Sequence, residues 1–125
     1  YSTNGLAEPK SAKSEPIAPT LDDIFLQKIR QVIEAHLDNP ELGIGHLCDA
    51  VNLSHTQVFR KLKALTGENP TLFIRKIRLL KAFQLLQTSE MNISEIAYTV
   101  GFSDPNYFSR AFHEEFGKAP STIRK

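Results

Sequence analysis

The chain repeats itself, and the repeat limits what it can fold into. Ile44, Leu47, Cys48, Val51, Asn52, Leu53 and Ser54 recur 49 residues later as Ile93, Ile96, Ala97, Val100, Gly101, Phe102 and Ser103. One extra residue then enters the second copy. At an offset of 50, Val58, Arg60, Leu62, Gly67 and Pro70 recur as Phe108, Arg110, Phe112, Gly117 and Pro120. A period near 50 in many copies would indicate a solenoid. Two copies indicate two similar small units, and the repeated residues recur at helical spacing.

Each unit carries its own start and stop signals. In the second, Asn92 and Glu95 predict a capping box, and Ile93, Ile96, Ala97 and Val100 share one helix face. Gly101 follows where the chain must turn, because a residue without Cβ enters the left-handed conformation at little cost. Asp104 reads as the next N-cap, with Pro105 at the first helical position, where its missing N–H is no loss. Phe108, Ala111 and Phe112 then face inward, leaving Asn106, Ser109, Arg110 and His113 outside. In the first unit Asn52, the next best tolerated residue for a left-handed turn, stands where Gly101 stands later. Ser54 and Gln57 predict a second capping box, with Leu53 packing on Val58 as a hydrophobic staple. Val58, Leu62 and Leu65 are expected inside, and Thr56, Phe59, Arg60 and Lys63 outside.

Two further helices complete the pattern. Thr20 and Asp23 cap a helix that starts at Leu21 and is expected to end near Asp38, before Pro40. A longer helix from Thr71 to about Thr88 has apolar residues on more than one face and must be covered on two sides. At ~1.5 Å per residue its 18 residues span roughly 27 Å, so it can join and separate the units on either side. The expected fold is all-α, with seven short helices forming two helix-turn-helix subdomains joined by a long linking helix. The first unit covers residues 21–69, the linking helix 70–88 and the second unit 89–125. Residues 1–20 contain Pro9, Pro16 and Pro19 and no periodic apolar face, so they are expected to form a linker. Because the chain begins at Tyr1 rather than Met, an upstream domain is expected before that linker.

A formal net charge of +1 hides a strong division along the chain. Residues 54–81 carry seven basic side chains (Arg60, Lys61, Lys63, Arg75, Lys76, Arg78 and Lys81) against one acidic residue, Glu68. Such a concentration suits a polyanionic partner, although charge alone fits a solvated helix face equally well. One cysteine, Cys48, excludes an internal disulfide, and its place in the pattern is that of a small core residue. His36, His46, His55 and His113 lie on different segments without the spacing of a metal site. No set of residues suggests catalysis, so neither enzyme activity nor a cofactor is expected of this segment. No apolar run is long enough for a membrane span, and no membrane contact is expected.

The second unit, with I-S-E-I-A, V-G-F-S-D, Y-F-S-R-A-F and F-G-K-A-P, resembles the C-terminal DNA-binding domain of the AraC/XylS family of bacterial transcription regulators. The similarity covers about residues 21–125. It implies that segments 55–66 and 105–116 are recognition helices entering adjacent major grooves of double-stranded DNA, with Thr56, Phe59, Arg60, Pro105, Asn106, Tyr107 and Arg110 at base-contacting positions. Arg60 and Arg110 suit guanine O6 and N7, and Asn106 suits adenine. Ser54, Lys61, Lys63, Arg75, Lys76 and Ser109 are expected on phosphates, fixing register without reading sequence. Phe59 stands where a polar reader is common; it can touch a thymine methyl or pack inward, and the groove is favoured because Val58 already fills the inward position.

The resemblance further implies RNA polymerase as a partner, an activating role, and a cytoplasmic, nucleoid-associated location. It implies an upstream sensory or receiver domain in the same chain, which in a hybrid two-component protein can include a kinase and a membrane anchor. Two other functional classes compete with this reading: a helical protein-interaction module, and an architectural binder that grips DNA without sequence preference. The outward Arg and Asn side chains near the start of both recognition helices favour sequence readout.

Overall fold

The computed structural model describes residues 18–124; the linker assignment for residues 1–17 and the terminal Lys125 lie outside the described residues. The described residues form seven helices: α1 (Leu21–Ala35), α2 (Ile44–Val51), α3 (His55–Thr66), α4 (Pro70–Thr88), α5 (Ile93–Thr99), α6 (Pro105–Phe116) and α7 (Pro120–Ile123). The two recognition segments thus have the limits expected of them. Helix α1 stops earlier than expected, at Ala35, where the His36 N–H bonds back to the carbonyls of Val32 and Ile33 and a turn leads to Pro40.

The caps are those the sequence specifies. Thr20 with Asp23, Ser54 with Gln57 and Asn92 with Glu95 each satisfy two orphan helix-end donors reciprocally. Asp104 accepts from the Asn106 N–H at 2.9 Å, with Pro105 opening α6. These local bonds fix where each recognition helix begins and hence which side chains its first turn displays.

Two cores form on opposite ends of α4. Phe73, Ile74 and Ile77 join Phe25, Ile29 and Ile33 of α1, Leu47 of α2, and Val58 and Leu62 of α3. One turn further on, Leu79, Ala82 and Leu86 join Ile96, Val100, Phe102, Phe108 and Phe112. Leu37 packs against both clusters. Cys48 is buried in the first, and burial, with Asp49 adding to it, pushes its thiol pKa up, which keeps it a neutral packing residue. Coverage of α4 is incomplete: Leu72 and Leu80 remain exposed, as does Leu65 of α3, which was expected inside.

Asn52 adopts the left-handed conformation at φ 57°, in the place where Gly101 turns the second unit at φ 96°. The exposed Asn52 side chain has room, so only backbone strain distinguishes substitutions there. Asn52→Ala is expected to lose ~1 kcal/mol, because alanine bears the left-handed penalty without the local hydrogen bonding that eases it for asparagine. Asn52→Gly should stay within about 0.5 kcal/mol of the parent, since relief of strain offsets greater freedom in the unfolded chain. Urea denaturation of the three proteins gives the comparison; equal loss in both variants would mean that a side-chain contact, not φ, holds the turn.

Candidate nucleic-acid interface

Helices α3 and α6 are the second helices of their units, each bedded by one apolar face. Val58 and Leu62 of α3 and Phe108, Ala111 and Phe112 of α6 are buried. The opposite faces are open. On α3, Thr56 and Arg60 are exposed, and Phe59 is directed outward with 47% of its surface exposed. Thr56, Phe59 and Arg60 meet Ile44 and His55 around a shallow depression on this face. On α6, Asn106, Tyr107 and Arg110 are exposed, and Pro105 is half-buried at the helix start. The Arg110 guanidinium lies 5.9 Å from the centre of the Tyr107 ring, a cation–π arrangement that holds a flexible cation over an aromatic face.

The seven basic side chains of residues 54–81 do not act as one patch. Arg60 and Lys63 are exposed and have no ion-pair partner among the described residues. Lys61 turns toward α1, 3.4 Å from Asp22 and 5.1 Å from the Phe25 ring centre. Lys76 sits 3.9 Å from both Glu68 and Glu115. Arg75 donates to the Tyr107 hydroxyl at 3.3 Å and lies 3.9 Å from Glu114; the Tyr107 hydrogen bond is the main reason its pKa is raised, and the charge is secure. The Ser54 hydroxyl accepts the Gln57 N–H at 3.2 Å, which leaves its own proton for an outside acceptor. Ser109 is half-buried.

Two arginines, Arg78 from that basic segment and Arg124 near the end of the chain, have structural partners instead. Arg78 is 7% exposed and donates through Nη1 to the Gly101 carbonyl and through Nη2 to the Asn39 carbonyl at 2.7 Å. Burial lowers its pKa below the usual guanidinium value. Arg124 bonds to carbonyls at the end of α4 and in the loop that follows it: Leu86 at 3.3 Å, Ser89 at 3.0 Å, and Met91. The signal for both was faint in the sequence, because their partners are main-chain atoms 23 to 39 residues away.

Over residues 47–125 the sequence matches the family described as a helix-turn-helix domain. The fold superposes on an AraC-type DNA-binding transcriptional regulator from Chromobacterium violaceum with a TM-score of 0.75 and 28% identity, covering 81% of this chain and 89% of that one. The chain belongs to the AraC-type helix-turn-helix family. It is a sequence-specific DNA-binding domain of transcription regulation. The DNA-binding domain of AdpA, solved in complex with a target DNA, is 26% identical with a TM-score of 0.71, over 80% of this chain and 88% of that one. Among curated relatives, Histidine kinase P4 of Formosa agariphila is 38% identical over 86% of this chain, and the HTH-type transcriptional activator RhaS of Shigella boydii is 43% identical over 68%. The chain spans only 8% of the first relative's length and 31% of the second's. Among the described residues no helix is long and apolar enough to cross a membrane.

Proposed function

We propose that this AraC-type domain reads two adjacent major grooves on one side of the duplex, α3 in one and α6 in the other. The observation that carries it is the matched pair of recognition helices, each capped, bedded on one apolar face and displaying an exposed arginine at a repeated position, Arg60 and Arg110. Helix α4, 19 residues long, spans ~28 Å at ~1.5 Å per residue, close to one turn of B-DNA at roughly 34 Å. Arg60 and Arg110 contact guanines, Asn106 an adenine, and Thr56, Phe59, Pro105 and Tyr107 complete the base-facing surface. Ser54, Lys63 and Ser109 sit on phosphates. Lys61 and Lys76 contribute less, because nearby carboxylates offset them.

The domain then acts as the output end of a longer regulatory protein, recruiting RNA polymerase at promoters. Similarity to a histidine kinase over most of the chain favours a hybrid two-component arrangement, in which an upstream sensor and kinase deliver the signal and the DNA-binding end works in the cytoplasm on the nucleoid.

Selection on random duplexes followed by titration tests the readout. Arg110→Ala is expected to lose ~1–3 kcal/mol of discrimination at one or two base positions. Lys63→Ala should weaken all sequences alike and reduce the salt slope by about one unit. Equal losses on selected and random duplexes for both variants would instead support an architectural binder.

A further inference from the structure

Between the two reading faces lies a groove of about 260 Å³ whose walls come from both units and from α4. Its place relative to the DNA follows from its neighbours. On one side Gly43 borders it, and the next residue, Ile44, belongs to the depression formed with Thr56, Phe59 and Arg60. On the other side is Tyr107, whose ring carries Arg110. A duplex that engages both recognition helices must therefore cross the groove. Between two adjacent major grooves on one side of B-DNA, the surface presented is the minor groove flanked by its two phosphate backbones.

The lining suits a backbone phosphate. Arg75 supplies a guanidinium, Thr71, Ser103 and Tyr107 supply hydroxyls, and no carboxylate is among the lining residues. Arg75 has five donors in all. One is given to Tyr107 at 3.3 Å, and the Glu114 carboxylate is at the outer edge of ion-pair distance, 3.9 Å. The remaining donors can take a phosphate, and the bond to Tyr107 holds the fork in place for it.

We infer that this groove is a phosphate seat, in which Arg75 with Thr71 and Ser103 binds a backbone phosphate of the duplex segment between the two half-sites. The inference rests on the paired-groove reading proposed above. Its effect is to add affinity and register without base preference and to make the spacer, which neither recognition helix touches, part of the binding site.

Methylphosphonate scanning tests it. Single phosphates of a selected duplex are replaced by the neutral group, and binding is measured for the parent chain and for Arg75→Gln, a change at a half-buried side chain that belongs to neither core. In the parent, one or two neighbouring spacer positions should lose roughly tenfold in affinity. Arg75→Gln should bind the all-phosphate duplex about tenfold more weakly and show no further loss at those positions. Spacer positions without effect in the parent, or equal losses in both proteins, overturn the seat. The phosphates flanking the half-sites serve as the control: sensitivity there with an insensitive spacer leaves the paired-groove reading standing and removes only the seat. Insensitivity throughout removes both.

Discussion

Alanine at Gly101 is expected to cost about 4 kcal/mol of folding stability, placing it among the exceptional single substitutions. Two effects add. The residue sits at φ 96°, beyond the region that L side chains tolerate, which alone costs ~1–2 kcal/mol. A Cβ built there would also collide with the Leu37 carbonyl oxygen and with the Arg78 guanidinium, whose Cζ would be 2.6 Å away. The Leu37 oxygen belongs to the backbone and cannot rotate aside, so the turn between α5 and α6 must move, at the ~1–3 kcal/mol typical of overpacking. Moving it also breaks the bond from Arg78 to the Gly101 carbonyl. Gly117 is the internal control. Its φ of 74° is also positive, yet a Cβ there meets nothing within 4 Å, so Gly117→Ala should lose only the ~1–2 kcal/mol of backbone strain. Urea denaturation of both variants separates strain from collision. Equal losses at the two sites would show that close packing at Gly101 contributes nothing.

That difference between two glycines also shows which features the sequence could reveal. Capping boxes, the Gly and Asn turns and the inward faces of α3 and α6 involve residues at most a few positions apart, so spacing alone reports them. The two-unit fold followed from the repeat, and the outward positions of Arg60, Asn106 and Arg110 followed from helical periodicity. What spacing does not report is the far partner of a long side chain. Arg78 and Lys63 both read as basic residues in a positive segment. The fold buries one against the carbonyls of Gly101 and Asn39 and leaves the other in solvent. Lys61 is likewise taken by Asp22 and Phe25 of α1, and Arg75 gives one donor to Tyr107, 32 residues on. Leu72 and Leu80 misled in the opposite sense. A helix apolar on several sides must cover much of its surface, but its sequence does not say which of its apolar residues stay in solvent.

Arg78→Met is expected to lose about 3 kcal/mol and to uncouple the two units, the second effect being the more informative. Removing a buried charge is not destabilising by itself: the guanidinium is desolvated at a cost, seen in its lowered pKa, and its Nε has no hydrogen-bond partner among the described residues. Methionine fills much of the same volume and avoids that cost. It leaves the Asn39 and Gly101 carbonyls without their donor, however, at ~1–3 kcal/mol for each buried group left unsatisfied. The lost hydrogen bonds outweigh the relief of desolvation. Those carbonyls belong to different units, one before α2 and the other in the turn before α6, so the guanidinium ties the two together outside the continuous backbone of α4. Without it, the units remain joined by α4 and by Leu37, and rotation of one against the other becomes easier. Denaturation should change from one sharp transition to a broader one with a reduced apparent slope. On DNA, the parent should prefer a single half-site spacing, since one added base pair shifts the second site by ~3.4 Å and rotates it by roughly 35°. Arg78→Met should accept spacings one base pair longer or shorter with little further loss. A variant that is less stable yet keeps the parent's spacing preference and one sharp transition would show that α4 and Leu37 alone hold the two readers in register.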